Sequence, residues 1–206
     1  MVAKSAVNLK KAAAEIQEIS PTRLAYLSQD LVSPSALRNI AAFAKKNKKE
    51  LHNLFLNAGT YLEGSLKSGS RGAFEKQMEL NFYSIFGLVQ MLLPLLDRSK
   101  PCRIVLTGST AGLEASSDVP LYGITKWALR GYAVNLRKEL MKEKIAVTYV
   151  APGGTYTDLW KPFPEVKENR LMAPEDVAKM VAAVLSLSGR CDVEQIIMRP
   201  MLGDVH

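Results

Sequence analysis

Histidine and cysteine are nearly missing from this chain of 206 residues, which has two of each: His52, His206, Cys102 and Cys191. With no CxxC pair and no histidine cluster beside a cysteine, neither a disulfide framework nor a structural zinc site is indicated, and no metal is expected. The same scarcity weighs against a Ser-His-Asp hydrolase. A nucleophilic serine needs a histidine base, and Asn53 and Asp204 are the nearest orienting groups to the two histidines. No apolar run approaches the roughly 18 to 20 residues that span a bilayer, and the opening MVAKSAVNLKK lacks the apolar core of a signal peptide. A cytoplasmic location without a membrane partner is the default expectation. Glycine is also missing from the whole stretch before Gly59.

Apolar residues make up 48% of the chain and charged ones 23%, enough for one well-buried core, so residues 1–206 are expected to form a single domain. The formal charge of +7 could suggest nucleic acid, yet the basic residues are scattered apart from KKNKK at Lys45 to Lys49. That run ends a predicted helix, where cations suit the negative end of the dipole. A solvated helix end accounts for it more simply than a basic patch, and no nucleic-acid partner is expected.

Along the chain, Ser5 to Ile19 is helical in pattern and RLAYLSQDL, Arg23 to Leu31, reads as a short strand ending in Asp30. SPSALRNIAAFAKK opens a helix with Ser33 as N-cap and Pro34 at the first helical position. LHNLFLNAG is a second strand, and a long helix covers about Ala73 to Leu96. CRIVLTGS is a third strand, followed by a helix from about Val119 to Lys142 whose start Asp118 and Pro120 mark. IAVTYVAPGG, APEDVAKMVAAVLSL and VEQIIMRP give strand, helix and strand. Alternating strands and helices, with nearly continuous apolar inner strands, predict an α/β fold on a parallel sheet. Open sheets of this kind bind ligands at the carboxyl ends of their strands. Four strands end there in unusual residues: Asp30, then Asn57-Ala58-Gly59, then Gly108-Ser109, then Pro152-Gly153-Gly154.

Tyr122 and Lys126 stand i,i+4 on one helix, so their side chains rise on one face. A tyrosine of pKa about 10 is a poor base at neutral pH, but a nearby ammonium favours the phenolate and is expected to lower that value. Ser109, at the mouth of the preceding strand, can donate a hydrogen bond to a substrate oxygen as charge develops on it. Together they suit the interconversion of a carbonyl and an alcohol in a small-molecule substrate. Neither supplies a hydride, so a nicotinamide cofactor is implied. Asn81 lies on the border of the apolar stripe Phe74, Met78, Phe82, Ile85 and Val89, where an amide is costly unless hydrogen-bonded.

These residues together resemble the short-chain dehydrogenase/reductase family, from about Val2 to Pro200. The family's Asn, Ser, Tyr and Lys tetrad falls on Asn81, Ser109, Tyr122 and Lys126, with the family's thirteen-residue interval from serine to tyrosine. LNAG looks like its NAG turn, Asp30 matches an aspartate that contacts adenine, and APGGTYTDL looks like its PG motif. The resemblance implies a Rossmann-like doubly wound parallel sheet, with Tyr122 as general acid/base, Lys126 tuning it and binding the nicotinamide ribose, Ser109 positioning the carbonyl and Asn81 holding a relay water. It implies cofactor contacts at Asn57, Ala58, Gly59, Pro152 and Gly153, backbone contacts from Thr155 and a hydroxyl contact from Thr157. Trp160 and Phe163 fall in the family's substrate lid, and VEQIIMRP resembles branches acting on small hydroxy acids or alcohols. The family's members commonly form oligomers.

The chain departs from the family at its start. A first strand, a TGxxxGxG phosphate loop and a helix are expected there, yet VAKS looks like the end of the second strand. The sheet is therefore expected to lack its first strand-loop-helix unit, leaving LHNLFLNAG with one unpaired edge. Lys4 sits where a basic residue would accept a 2′-phosphate, which leans the cofactor choice toward NADP(H) over NAD(H). Two readings stay open: an NAD(P)-dependent oxidoreductase, and a non-catalytic relative acting through oligomeric association.

Overall fold

A computed structural model describes residues 1–47 and 51–204; Lys48, Lys49 and His206 lie outside the described residues. The chain forms two compact units, one of Met1–Leu51 with Tyr83–Leu96, the other of His52–Phe82 with Asp97–His206.

In the first unit, β1 (Val2–Ala3) pairs in parallel with β2 (Leu27–Ser28). Helix α1 (Ala6–Ile19) starts where sequence predicts, because the Ser5 hydroxyl accepts from Asn8 N at 3.2 Å. Two expectations fail. The strand expected over Arg23 to Leu31 shrinks to two residues, which matches its poor alternation of apolar and polar residues. Helix α2 spans Ala36–Asn47, so Pro34 stands in a turn before it, and the Ser33 hydroxyl is occupied by Gln29 Nε2 at 2.7 Å instead of capping the helix. Lys45 and Lys46 do lie in the last turn of α2.

The predicted long helix is a composite. It runs from α3 (Arg71–Met78, capped by the Ser70 hydroxyl) through a π-helical turn at Glu79–Tyr83 into α4 (Ser84–Leu92). By length and composition, Arg71–Leu95 could cross a membrane, although no single apolar run in it is that long. Gln77 and Asn81 are fully buried along it.

In the second unit, β3 (Asn53–Leu56), β4 (Cys102–Thr107), β5 (Ile145–Pro152) and β6 (Gln195–Met198) form one parallel sheet in the order β3-β4-β5-β6. Five of the six residues of β4 and six of the eight of β5 are buried, so both faces are covered, as the apolar runs predict. Helix α6 (Pro174–Ser186) closes one face: Val181 and Val184 pack with Val105, Val150 and Ile196. Helix α5 (Pro120–Leu140) packs against β5. β3 is a terminal strand paired only with β4 among the described residues, and Phe55 is 49% exposed. The parallel registers carry the ends of β3, β4 and β5 to one edge of the sheet.

This core also buries a charged residue, Arg103, which is 1% exposed. Its guanidinium donates to the carbonyls of Cys191 at 3.0 Å, Leu187 at 2.9 Å and Ser188 at 2.7 Å. These carbonyls lie at and beyond the C-terminal end of α6, where a cation complements the unpaired acceptors. Arg103→Met fills the volume but leaves those acceptors without their donor. The variant is expected to lose about 2–4 kcal/mol of stability, read by urea unfolding; a loss under about 0.5 kcal/mol would show that the clamp contributes little.

Candidate active site

The site is built on the second unit, where the turns after β3 and β4 meet the first half of α5. Its most constrained member is Asn81. Sequence places it on a stripe border, but it is wholly buried, because it sits inside the π-helical turn, whose extra residue rotates it inward. Its amide mimics a backbone partner: Oδ1 accepts from Thr60 N at 2.8 Å, and Nδ2 donates to Thr60 O at 2.9 Å and to Thr125 Oγ1 at 3.0 Å. One turn earlier, Gln77 does the same for Leu62, accepting from its N–H at 3.1 Å and donating to its carbonyl at 3.0 Å. Two amides thus pin the chain after the NAG turn to the helix. Neither Gln77 nor Thr125 was singled out from sequence, although Gln77 stands i−4 from Asn81 and would share its face.

Lys126 is 3% exposed, and its ammonium donates to the Thr107 carbonyl at the end of β4, at 3.1 Å. It lies 5.4 Å from the centre of the Tyr122 ring. Ser109 follows β4; its Oγ accepts from Ala111 N at 3.2 Å and stands close enough to the Tyr122 phenol to favour its ionised form. Gly59 lies between two of these groups: a side chain there would begin 3.4 Å from Asn81 Oδ1 and 3.5 Å from Lys126 Nζ. Asn81, Ser109, Tyr122 and Lys126 are therefore brought together, with Gly59 beside them.

Electrostatically the site differs from the expectation that Lys126 lowers the tyrosine. Burial pushes Tyr122 up to about 12, against the opposing Ser109 hydrogen bond. Burial also pulls Lys126 down to about 8. The physical reason is that desolvation acts on both groups, while the ammonium is turned to the Thr107 carbonyl rather than to the phenol oxygen.

The other predicted residues are distributed as follows. Asn57 is exposed and Ala58 half-buried after β3. Pro152 ends β5, and Gly153 lies under Asp204, whose Oδ1 a side chain at that position would strike. The Thr155 hydroxyl donates to Gly153 O at 3.0 Å, and its backbone bridges Met172. Thr157 is exposed and precedes a short 3-10 turn. Lys4 and Asp30 are in the first unit, ion-paired at 2.8 Å; that bond holds the Lys4 ammonium above and the Asp30 carboxyl below their usual ranges. Trp160 covers Gly154 and meets Phe163 at 6.0 Å; Phe163 meets Tyr61 at 6.1 Å, and Tyr61 stands edge-on to Tyr122 at 5.7 Å. Tyr61, which completes this row of rings, was not picked out from sequence.

Comparison with known proteins agrees with the geometry. Residues 1–168 match the family model for short chain dehydrogenase. The chain is 27% identical to a sepiapterin reductase of Chlorobaculum tepidum over 87% of this chain and 74% of that one. It is 39% identical to a Pseudomonas aeruginosa rhamnolipids biosynthesis 3-oxoacyl-[acyl-carrier-protein] reductase, over 60% of this chain and half of that one. A Pseudomonas aeruginosa RhlG/NADP active-site complex superposes with a TM-score of 0.82 at 26% identity, covering 95% of this chain and 83% of that one.

The low value for Lys126 has a stability consequence. Folding depresses it from 10.5 to about 8, so the cost of its buried charge is full below about pH 8 and vanishes above the unfolded value. Lys126→Met is expected to be more stable than the parent at pH 6, by about 1–2 kcal/mol once the lost bond to Thr107 is set against a desolvation cost of about 3 kcal/mol. The gain should fade between pH 8 and 10.5. Calorimetry at both ends of that range checks this; a gain independent of pH would contradict it.

Proposed function

Because the chain belongs to the short-chain dehydrogenase family, an NAD(P)-dependent oxidoreductase family, we propose that it interconverts a carbonyl and an alcohol, with Tyr122 as general acid/base and NADP(H) as the preferred cofactor. The observation that carries this reading is the meeting of Ser109, Tyr122 and Lys126 beside Gly59, at the carboxyl edge of a parallel sheet. The residues fit a nicotinamide nucleotide. The Lys126 ammonium uses one N–H on Thr107 and keeps two for ribose hydroxyls, and the bare Gly59 and the exposed Thr157 hydroxyl offer room and a hydrogen bond. The nicotinamide, when bound, supplies or accepts the hydride.

The chain's own residues handle the oxygen and the proton. Ser109 Oγ holds the carbonyl oxygen through a hydrogen bond that strengthens as negative charge grows on it. Tyr122, neutral at physiological pH because burial raises it to about 12, donates its proton to that oxygen. A protonated phenol suits carbonyl reduction, the direction in the names of the two relatives. Asn81 Oδ1 keeps one acceptor site beyond Thr60 N, facing the Gly59 gap toward Lys126, where a relay water would stand. Tyr61, Phe163 and Trp160 form an apolar wall leading to Tyr122. Burial raises the Tyr61 phenol, and Glu63 and Asp118 add to that rise. Of the small hydroxy acids or alcohols suggested by VEQIIMRP, a neutral, apolar alcohol and its carbonyl compound fit that wall better than a hydroxy acid.

Two measurements test this. Tyr122→Phe should lower NADPH-dependent reduction of a panel of aromatic and aliphatic ketones and aldehydes by about 10²–10⁴-fold, the usual contribution of a general acid. NADPH affinity, followed by fluorescence, should stay within a few-fold; turnover within tenfold of the parent would sink the assignment. Lys4→Ala should weaken NADPH at least tenfold by titration calorimetry while leaving NADH unchanged, because it removes the cation that the family resemblance assigns to the 2′-phosphate. An equal effect on both cofactors would remove Lys4 from cofactor choice.

A further inference from the structure

Strand β5 is aliphatic through its buried centre except for Thr148 and Tyr149, each 1% exposed, and only Tyr149 carries a ring. Its ring does not stop in the core but runs on to the segments that hold the site residues. Tyr149 Oη accepts from Ser109 N at 3.3 Å and lies 3.3 Å from both the Ser109 carbonyl and the Lys126 carbonyl, to either of which its single proton can be donated. Three peptide groups from two elements converge on one phenol oxygen.

The sequence makes room for this ring at two places. A side chain at Gly108 would begin 2.0 Å from Tyr149 Cζ, and one at Gly112 would begin 2.3 Å from Tyr149 Oη and 2.8 Å from the Lys126 carbonyl. Both glycines flank Ser109 and have negative φ, so their bare Cα atoms are needed for space rather than for backbone freedom. The phenol is raised to about 12, chiefly by burial, and so remains a donor at working pH. It is also close enough to Tyr122 to influence its ionisation.

We propose that Tyr149 is a positioning residue: through Oη it sets the spacing between the turn bearing Ser109 and the stretch of α5 bearing Tyr122 and Lys126, and thereby holds the Ser109 hydroxyl on the Tyr122 phenol. The proposal rests on the reading of Ser109 and Tyr122 as the residues that handle the carbonyl oxygen. It assigns to a core tyrosine a task that neither the tetrad pattern nor burial alone would give it. Tyr149 touches no reacting atom and acts only through Ser109 and α5.

Tyr149→Phe keeps the ring and removes Oη, leaving Ser109 N without this acceptor. In the whole chain, with NADPH and the best ketone of the panel, kcat should fall at least tenfold while KM and NADPH affinity stay within threefold. In the Ser109→Ala background the same change should cost less than twofold, because the group it positions is gone. A readout independent of turnover comes from 13Cζ-labelled tyrosine: among the seven tyrosines, Tyr122 is identified by its loss in Tyr122→Phe. Its resonance should move in the same direction in Tyr149→Phe as in Ser109→Ala. If the chain reduces no ketone, the oxidoreductase reading fails, and the resonance still decides the positioning role. If Tyr149→Phe does not fold, 3,5-difluorotyrosine at position 149 nearly preserves shape while altering the hydrogen bond, and the Tyr122 resonance should again move. A Tyr122 resonance unchanged in the folded variant, or kinetic losses that multiply with those of Ser109→Ala, would overturn the proposal.

Discussion

The arrangement depends on one buried amide. Asn81 places both polar ends of its side chain on Thr60 and on the Thr125 hydroxyl, which in turn donates to the Tyr122 carbonyl at 2.8 Å. The helix, the turn after β3 and the start of α5 are thereby tied through a single residue. A buried amide with an unpaired end would cost about 1–3 kcal/mol, so this geometry has little freedom to drift. The π-helical turn is the device that allows it: it brings Asn81 fully inward without disturbing the apolar face that follows in α4.

Much of the architecture was legible in the sequence because periodicity reports burial. Apolar runs gave β4 and β5, and Pro120 and Pro174 marked the starts of α5 and α6. What escaped depends on contacts that composition and periodicity do not announce. The π turn has no composition of its own, so Asn81 read as a border residue. Ser33 had the right chemistry for a cap but is taken by Gln29. The stretch before Leu27 carries enough apolar residues for a strand, yet strand formation needs a partner, and only Leu27 and Ser28 have one.

The site residues were legible through the order and spacing of Ser109, Tyr122 and Lys126, but their electrostatics were not. Sequence gives neighbours along a helix, whereas the ionisation of Tyr122 follows from how little water reaches it and from the direction in which the Lys126 ammonium points. Tyr61 and Gln77 show the same limit. Each is an ordinary residue until folding sets it beside Tyr122 or the Leu62 peptide.

The fit of Tyr149 between Gly108 and Gly112 also imposes an order on how this protein can change. Gly108 can gain a side chain only after the aromatic ring has become smaller, since the new atom would otherwise fall within 2.3 Å of it, whereas a side chain at Gly112 would still meet the Lys126 carbonyl at 2.8 Å. Once Gly108 has grown, the ring cannot return. Positions 108 and 149 therefore form a ratchet, in which substitutions tolerated together are forbidden in the wrong sequence. A library that varies them one at a time would find Gly108 immutable, while one that varies both at once would uncover alternative packings of the same turn.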